Sequence, residues 1–127
     1  MSSMEHVVEN VKIAEDGYTD SLTNEERNLI QEVKEAYSAR IHAGCTGCNY
    51  CMPCPAGVDI PLNLNLLNDV YIYQNMVKPS GNYSFLKAKK ASASFCDECG
   101  ECEEKCTQNI SIMNYLKEAE ETFEKSK

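Results

Sequence analysis

The chain has 127 residues, of which 43% are hydrophobic, 25% charged and 8% aromatic, with no Trp, so it can form one domain or two small lobes around a modest apolar core. It is too short for a barrel enzyme. A formal net charge of −8 lacks the basic footprint that nucleic acid or anionic lipid needs, so neither is an expected partner and a protein with a basic face fits better. The N-terminus has no basic stretch followed by an apolar one, and no apolar run approaches a membrane span, so a cytoplasmic location is expected. Thiols stay reduced there, and the eight cysteines read as metal ligands rather than a disulfide framework.

Residues 3–15 place Met4, Val7, Val8, Val11, Ile13 and Ala14 at roughly helical spacing, which predicts a short amphipathic helix ended near Gly17. Thr23 and Glu26 form a capping box for a second helix, whose stripe is Leu29, Ile30, Val33, Ala36, Tyr37 and Ile41. That helix leads into the first cysteine run, at residues 45–54. After Pro55 a turn follows, with Asp59 as the cap and Pro61 in the first turn of a helix whose buried face is expected at Leu62, Leu66, Leu67, Val70 and Tyr73. Lys78-Pro79-Ser80-Gly81 reads as a loop and residues 83–90 as another turn or two of helix. Beyond the second cysteine run, at residues 96–106, Ser111 is expected to cap a last helix with Ile112, Tyr115, Leu116, Ala119 and Phe123 facing inward, and the polar tail is expected to fray. No sustained period-two alternation occurs, so the expected fold class is all-α.

The two runs are Cys45-Thr46-Gly47-Cys48-Asn49-Tyr50-Cys51-Met52-Pro53-Cys54 and Cys96-Asp97-Glu98-Cys99-Gly100-Glu101-Cys102-Glu103-Glu104-Lys105-Cys106. Both open C-x2-C-x2-C and close with a fourth cysteine, a set that can hold a [4Fe-4S] centre on four thiolates. Structural zinc normally takes paired cysteines far apart in sequence. The expected cofactors are therefore two [4Fe-4S] clusters. In two-cluster ferredoxins the fourth cysteine of each run ligates the other cluster. That analogy gives Cys45, Cys48, Cys51 and Cys106 for the first cluster, and Cys96, Cys99, Cys102 and Cys54 for the second. Four sequential cysteines per centre is the alternative. The repeated order of thiols points to pseudo-twofold symmetry around the two centres.

Other residues receive plainer readings. Gly47 and Gly100 stand where a side chain would crowd a cluster or where φ must be positive. Tyr50, Met52, Phe95 and Ile110 are read as an apolar shell. The N–H of Thr107 can donate a hydrogen bond that would raise the potential of the nearest centre. His42 is assigned a structural role, since eight thiols complete two clusters, and His6 a surface one. Lys87, Lys89 and Lys90 read as a solvated face, as does the acidic excess beyond Asp97. No Gly-rich phosphate loop, nucleophile-base pair or H-E-x-x-H occurs, and no catalytic residue is assigned.

The segment CTGCNYCMPCPAGVDIP, from Cys45 to Pro61, resembles the ferredoxin-like C-terminal segment of one branch of the aldo/keto reductase family, as does CDECGECEEKCTQNI. SSMEHVVENVKIAE is similar to the last cofactor-side helix of that family's barrel, and SLTNEERNLIQEVKEAY to the connector after it. Thr107 replaces a usual Pro, and Asn49 a common Gly. The resemblance implies residues 1–20 as a residual barrel-type helix and linker, residues 21–127 as an α-helical ferredoxin domain, and a redox partner protein or a barrel domain of that family as partner. Ser2, Ser3, Glu9 and Asn10 resemble positions near the adenine end of NADPH in relatives, but alone they make no nucleotide site. The leading expectation is electron transfer in an oxidoreductase. A structural interaction module stapled by metal, or an oxygen or iron sensor, is the alternative, and clusters that cannot be reduced reversibly would mark the former.

Overall fold

Helices account for all the regular structure among residues 2–124, the part of the chain that the computed structural model describes, and no strand occurs there. The all-α expectation is met. In chain order the helices are α1 Met4–Glu15, α2 Asn24–Ser38, α3 Ile60–Tyr73, α4 Val77–Ala88, α5 Glu101–Glu104 and α6 Ile112–Glu124, with a 3-10 turn at Ala93–Phe95 between α4 and α5. The tail expected to fray lies largely outside the described residues.

Contacts group the chain into two units, Met1–Glu35 and Ala36–Lys127. In the first, Ser3 caps α1 by accepting the His6 N–H at 3.4 Å. The Thr23 capping box forms as read, with Thr23 N–H donating to Glu26 Oε2 at 2.8 Å and Glu26 N–H to Thr23 Oγ1 at 3.2 Å. Neither α1 nor α2 buries a residue, and the stripe of Met4, Val7, Val8, Val11 and Ile13 is exposed.

The core belongs to the second unit, where α3 packs on both α4 and α6, and α6 on the 3-10 turn and α5. Ile60, Leu64, Leu67, Ile112 and Leu116 are fully buried there, each contributing about 1.5–3 kcal/mol of apolar burial. The inward face of α3 differs from expectation. Leu66 and Leu67 are buried, but Leu62 and Tyr73 are exposed, and Ile60, Asn63, Leu64 and Asn68 complete the buried set. The sequence of α3 is apolar nearly all round, so periodicity cannot choose a face and the packed neighbours decide.

Both buried asparagines serve as backbone clamps. Asn68 Oδ1 accepts the N–H groups of His42 and Ala43 at 2.9 and 2.7 Å, and its Nδ2 donates to Ala43 O at 2.8 Å, fixing the strand of chain that enters the first cysteine run. Asn63 donates to Asp59 O and Ala91 O at 2.7 and 2.9 Å and accepts from Ala93 N–H at 2.9 Å, fixing the approach to the second.

The expected loop at Lys78-Pro79-Ser80-Gly81 is instead the start of α4. Pro79 falls in the first turn, where its missing N–H would have had no helical acceptor. Asn75 Oδ1 caps the end by accepting the Val77 N–H at 2.9 Å.

Candidate metal centres

The two cysteine runs repeat one backbone course. The residue before the second cysteine has positive φ in both, +68° at Gly47 and +56° at Glu98, and so does the residue after it, +64° at Asn49 and +83° at Gly100. Three residues past the fourth cysteine it is positive again, +80° at Gly57 and +51° at Asn109. Each fourth cysteine carbonyl accepts that residue's N–H, Cys54 O from Gly57 at 3.0 Å and Cys106 O from Asn109 at 3.2 Å, before α3 and α6 begin. Alternating left-handed residues turn successive N–H groups to one side and make a concavity that suits an anion. The repeat breaks between the third and fourth cysteines, where the second run has one more residue and forms α5 while the first passes through a cis Met52-Pro53 peptide.

Two small cavities lie beneath these turns. Cys45, Cys48, Cys51 and Cys106 border one, with Ile60, Leu64, Ile110 and Ile112 in its wall. Cys96, Cys99, Cys102 and Cys54 border the other, with Ile60, Met113 and Leu116. Cys51 also reaches the second cavity. All eight cysteines are free thiols, Cys48 and Cys99 exposed, Cys102 buried and the rest half-buried. Among the described residues no three His, Cys, Asp or Glu side chains stand close enough to hold a single metal ion. The thiols are instead spread around the cavity walls, an arrangement that fits a larger soft core held at its corners.

Electrostatics differ between the cavities. The Tyr50 N–H holds the Cys48 thiol below its ordinary range, outweighing burial, with help from the Thr46 and Thr107 hydroxyls. Gly47 N–H points to Cys45 Sγ at 3.4 Å. Burial pushes Cys51 and Cys96 up, and pushes Cys102 to about 11. A cation-rich core that binds thiolates offsets that cost, which couples loading to folding.

Residues 44–111 match the family model of the 4Fe-4S dicluster domain. The chain belongs to that family. No curated protein and no solved structure matches it. As a dicluster domain it carries two [4Fe-4S] clusters and the iron-sulfur electron-transfer function that goes with them, and its eight cysteines in two runs fit that cofactor pair. Among the described residues no helix is long and apolar enough to cross a membrane.

Other residues of the dicluster domain sort into support. His42 Nε2 pairs with Glu118 Oε2 at 2.8 Å, and its ring stacks on Tyr71 at 4.1 Å between centroids, so it ties the first run to α6. Glu103, not Ser111, supplies the side-chain cap of α6, accepting the Met113 N–H at 2.9 Å. Lys87 is bound to Glu124 at 2.6 Å and Lys89 lies over the Phe85 ring at 4.3 Å. Of the expected apolar shell, Ile110 and Tyr50 border a cavity and Met52 packs on the core, but Phe95 borders neither cavity. The walls come mainly from α3 and α6. Asn63, Asn68, Glu103 and Ile60 were not legible as supports of the site. Three asparagines among the leucines of α3 were the available signal, of which Asn63 and Asn68 are the buried clamps and Asn65 is exposed.

Proposed function

We propose that Cys45, Cys48, Cys51 and Cys106 hold one cluster and Cys96, Cys99, Cys102 and Cys54 the other, and that this electron carrier serves an oxidoreductase of aldo/keto reductase type in the cytoplasm. The observation that carries the ligand sets is the exchange of fourth cysteines: Cys106 borders the cavity of the first run and Cys54 that of the second. When bound, a cluster of this type takes up and returns one electron. The chain's own residues hold, insulate and expose. Ile60, Leu64, Ile112 and Leu116, all buried, exclude water from the inner walls, while exposed Cys48 and Cys99 leave each site one edge open to a partner.

The aldo/keto reductase part rests on the resemblance of the two cysteine segments and of α1. The exposed stripe of Met4, Val7, Val8, Val11 and Ile13 on α1 supports it, because a barrel of that family would cover such a face. Eight thiols read as metal ligands rather than disulfides support a reducing compartment.

Anaerobically purified protein is expected to contain about eight irons and to show an EPR signal after dithionite. Stoichiometric zinc with no visible absorption would overturn the electron carrier. For the finer reading, a barrel domain of the family lacking its own last helix should slow hydrogen exchange along α1. Unchanged exchange there would overturn the barrel association alone.

A further inference from the structure

The two cluster sites share a backbone course but not a charge environment. Around the first cavity the polar residues are uncharged: Thr46, Asn49, Tyr50 and Gln108. On that side Asp59 borders the open groove beside Cys45, where its carboxylate is engaged with the Leu62 N–H at the start of α3, at 3.2 Å. Donors are aimed at sulfur there. Gly47 N–H points to Cys45, and the Tyr50 N–H and the Thr46 and Thr107 hydroxyls act on Cys48. Thr107 belongs to the second run, so it reaches Cys48 only because the halves fold together.

Around the second cavity the same backbone carries acids. Asp97 lies in the wall, accepts the Cys99 N–H at 3.4 Å and acts on the Cys96 sulfur. Backbone N–H groups act on sulfur here too, Glu98 on Cys96 and Glu103 on Cys102, while the Glu103 carboxylate is engaged with the Met113 N–H at 2.9 Å. Glu101 also borders this cavity, but Lys105 pairs with it at 3.1 Å and offsets its charge. Hydrogen bonds to sulfur favour the reduced, more negative cluster, and nearby carboxylates disfavour it.

We propose that Thr46 and Thr107 raise the reduction potential at the Cys48 site, while Asp97 lowers it at the Cys99 site, so that the two centres are unequal and the first electron rests on the Cys48 side. This rests on the electron-carrier reading. Each step takes one electron from a one-electron donor, which is oxidised by one. The site beside the acids fills second, and an electron that reaches it moves downhill to the neutral side while that side is oxidised.

Redox titration of the anaerobic full chain, followed by EPR with iron counted in each sample, tests the inference. The wild type is expected to reduce in two separable one-electron steps. Asp97→Asn should raise the lower step and leave the upper in place, and Thr107→Val should lower the upper step alone, each by up to about tenfold in electron affinity, about 59 mV for one electron. Thr107→Ser, which keeps the hydroxyl, should restore the upper step, and it also serves if the valine variant loses iron. Two electrons taken up at one potential, or either substitution moving the opposite step or neither, would overturn the inference while leaving the carrier intact. A protein with about eight irons that accepts no electron would overturn the carrier reading as well.

Discussion

Cys51 and Ile60 each border both cysteine-lined cavities, so one thiol and one fully buried aliphatic side chain form the shared wall between the two cluster sites. The position follows from the chain path. Cys51 is the third cysteine of its run, Cys54 passes to the other cavity, and Ile60 opens α3 directly beneath both. Insulation and connection between the centres therefore depend on the same few atoms.

Truncating that wall should loosen both sites together. Ile60→Ala removes a side chain that is 1% exposed, at a cost of about 2–5 kcal/mol for lost burial and the void left behind. Under a chelator and air, the iron of both clusters should be released faster than in the wild type, with the visible absorption bleaching to completion. Bleaching of only one cluster would show that Ile60 does not serve both sites.

Paired cysteine substitutions distinguish exchanged from sequential ligation. With exchange, Cys54→Ser combined with Cys99→Ser strikes one ligand set and should leave about four irons, whereas Cys54→Ser with Cys48→Ser strikes both and should leave almost none. Sequential ligation reverses the two results. Iron and sulfide analysis of the two double variants decides between them.

Most of the ligand chemistry was legible because it is written in spacing: C-x2-C-x2-C needs no tertiary information to be read as a cluster run. The capping box at Thr23 and the cap at Asp59 were legible for the same reason, since both are satisfied within a few residues. The inward face of α3 was not. Its buried residues, between Ile60 and Asn68, belong to a helix that packs on two different helices, and nothing local distinguishes exposed Leu62 from buried Leu64. Pro79 and Gly81 read as a break for a related reason. Propensity disfavours a helix there, but a first-turn position removes most of the cost for Pro79, which is then held in place by burial.

The buried asparagines carry a stability prediction. Asn68→Leu keeps the branched outline of the side chain but leaves the His42 and Ala43 N–H groups and the Ala43 carbonyl without their side-chain partner, Ala43 being fully buried. Buried unpaired backbone groups cost about 1–3 kcal/mol each. The loaded variant should unfold at lower denaturant, and the cluster bordered by Cys45 should be lost before the other. Unchanged unfolding would mean that water replaces the amide.

Positive φ predicts which turn positions resist substitution. Gly100 has φ +83° with no protein atom within 4 Å of an added Cβ, so Gly100→Ala meets backbone strain rather than a clash. It should cost about 1–2 kcal/mol. Asn49, at φ +64°, already tolerates the left-handed region as asparagine does, so Asn49→Gly should change stability by only a few tenths of a kcal/mol. Denaturant unfolding of the loaded proteins should rank the two variants in that order.

Glu118 links cluster retention to pH. Burial pushes its carboxyl up, but hydrogen bonds from Tyr71 at 2.5 Å and from the His42 ring at 2.8 Å outweigh burial and leave it below the ordinary value of 4.5. A carboxyl lowered by folding stabilises the native chain above its unfolded pKa, and that contribution is lost as pH falls through the folded value. Glu118→Gln removes the titration along with the charge. Near neutral pH the variant should therefore lose its clusters faster than the wild type, because the tie from α6 to the entry of the first run is weakened. Only once the pH has fallen through the folded value, which lies under 4.5, do both chains lack the carboxylate, and there the ratio of their bleaching rates should fall toward one. A ratio that stays constant across that window would show that the Glu118 charge has no part in holding the first run in place.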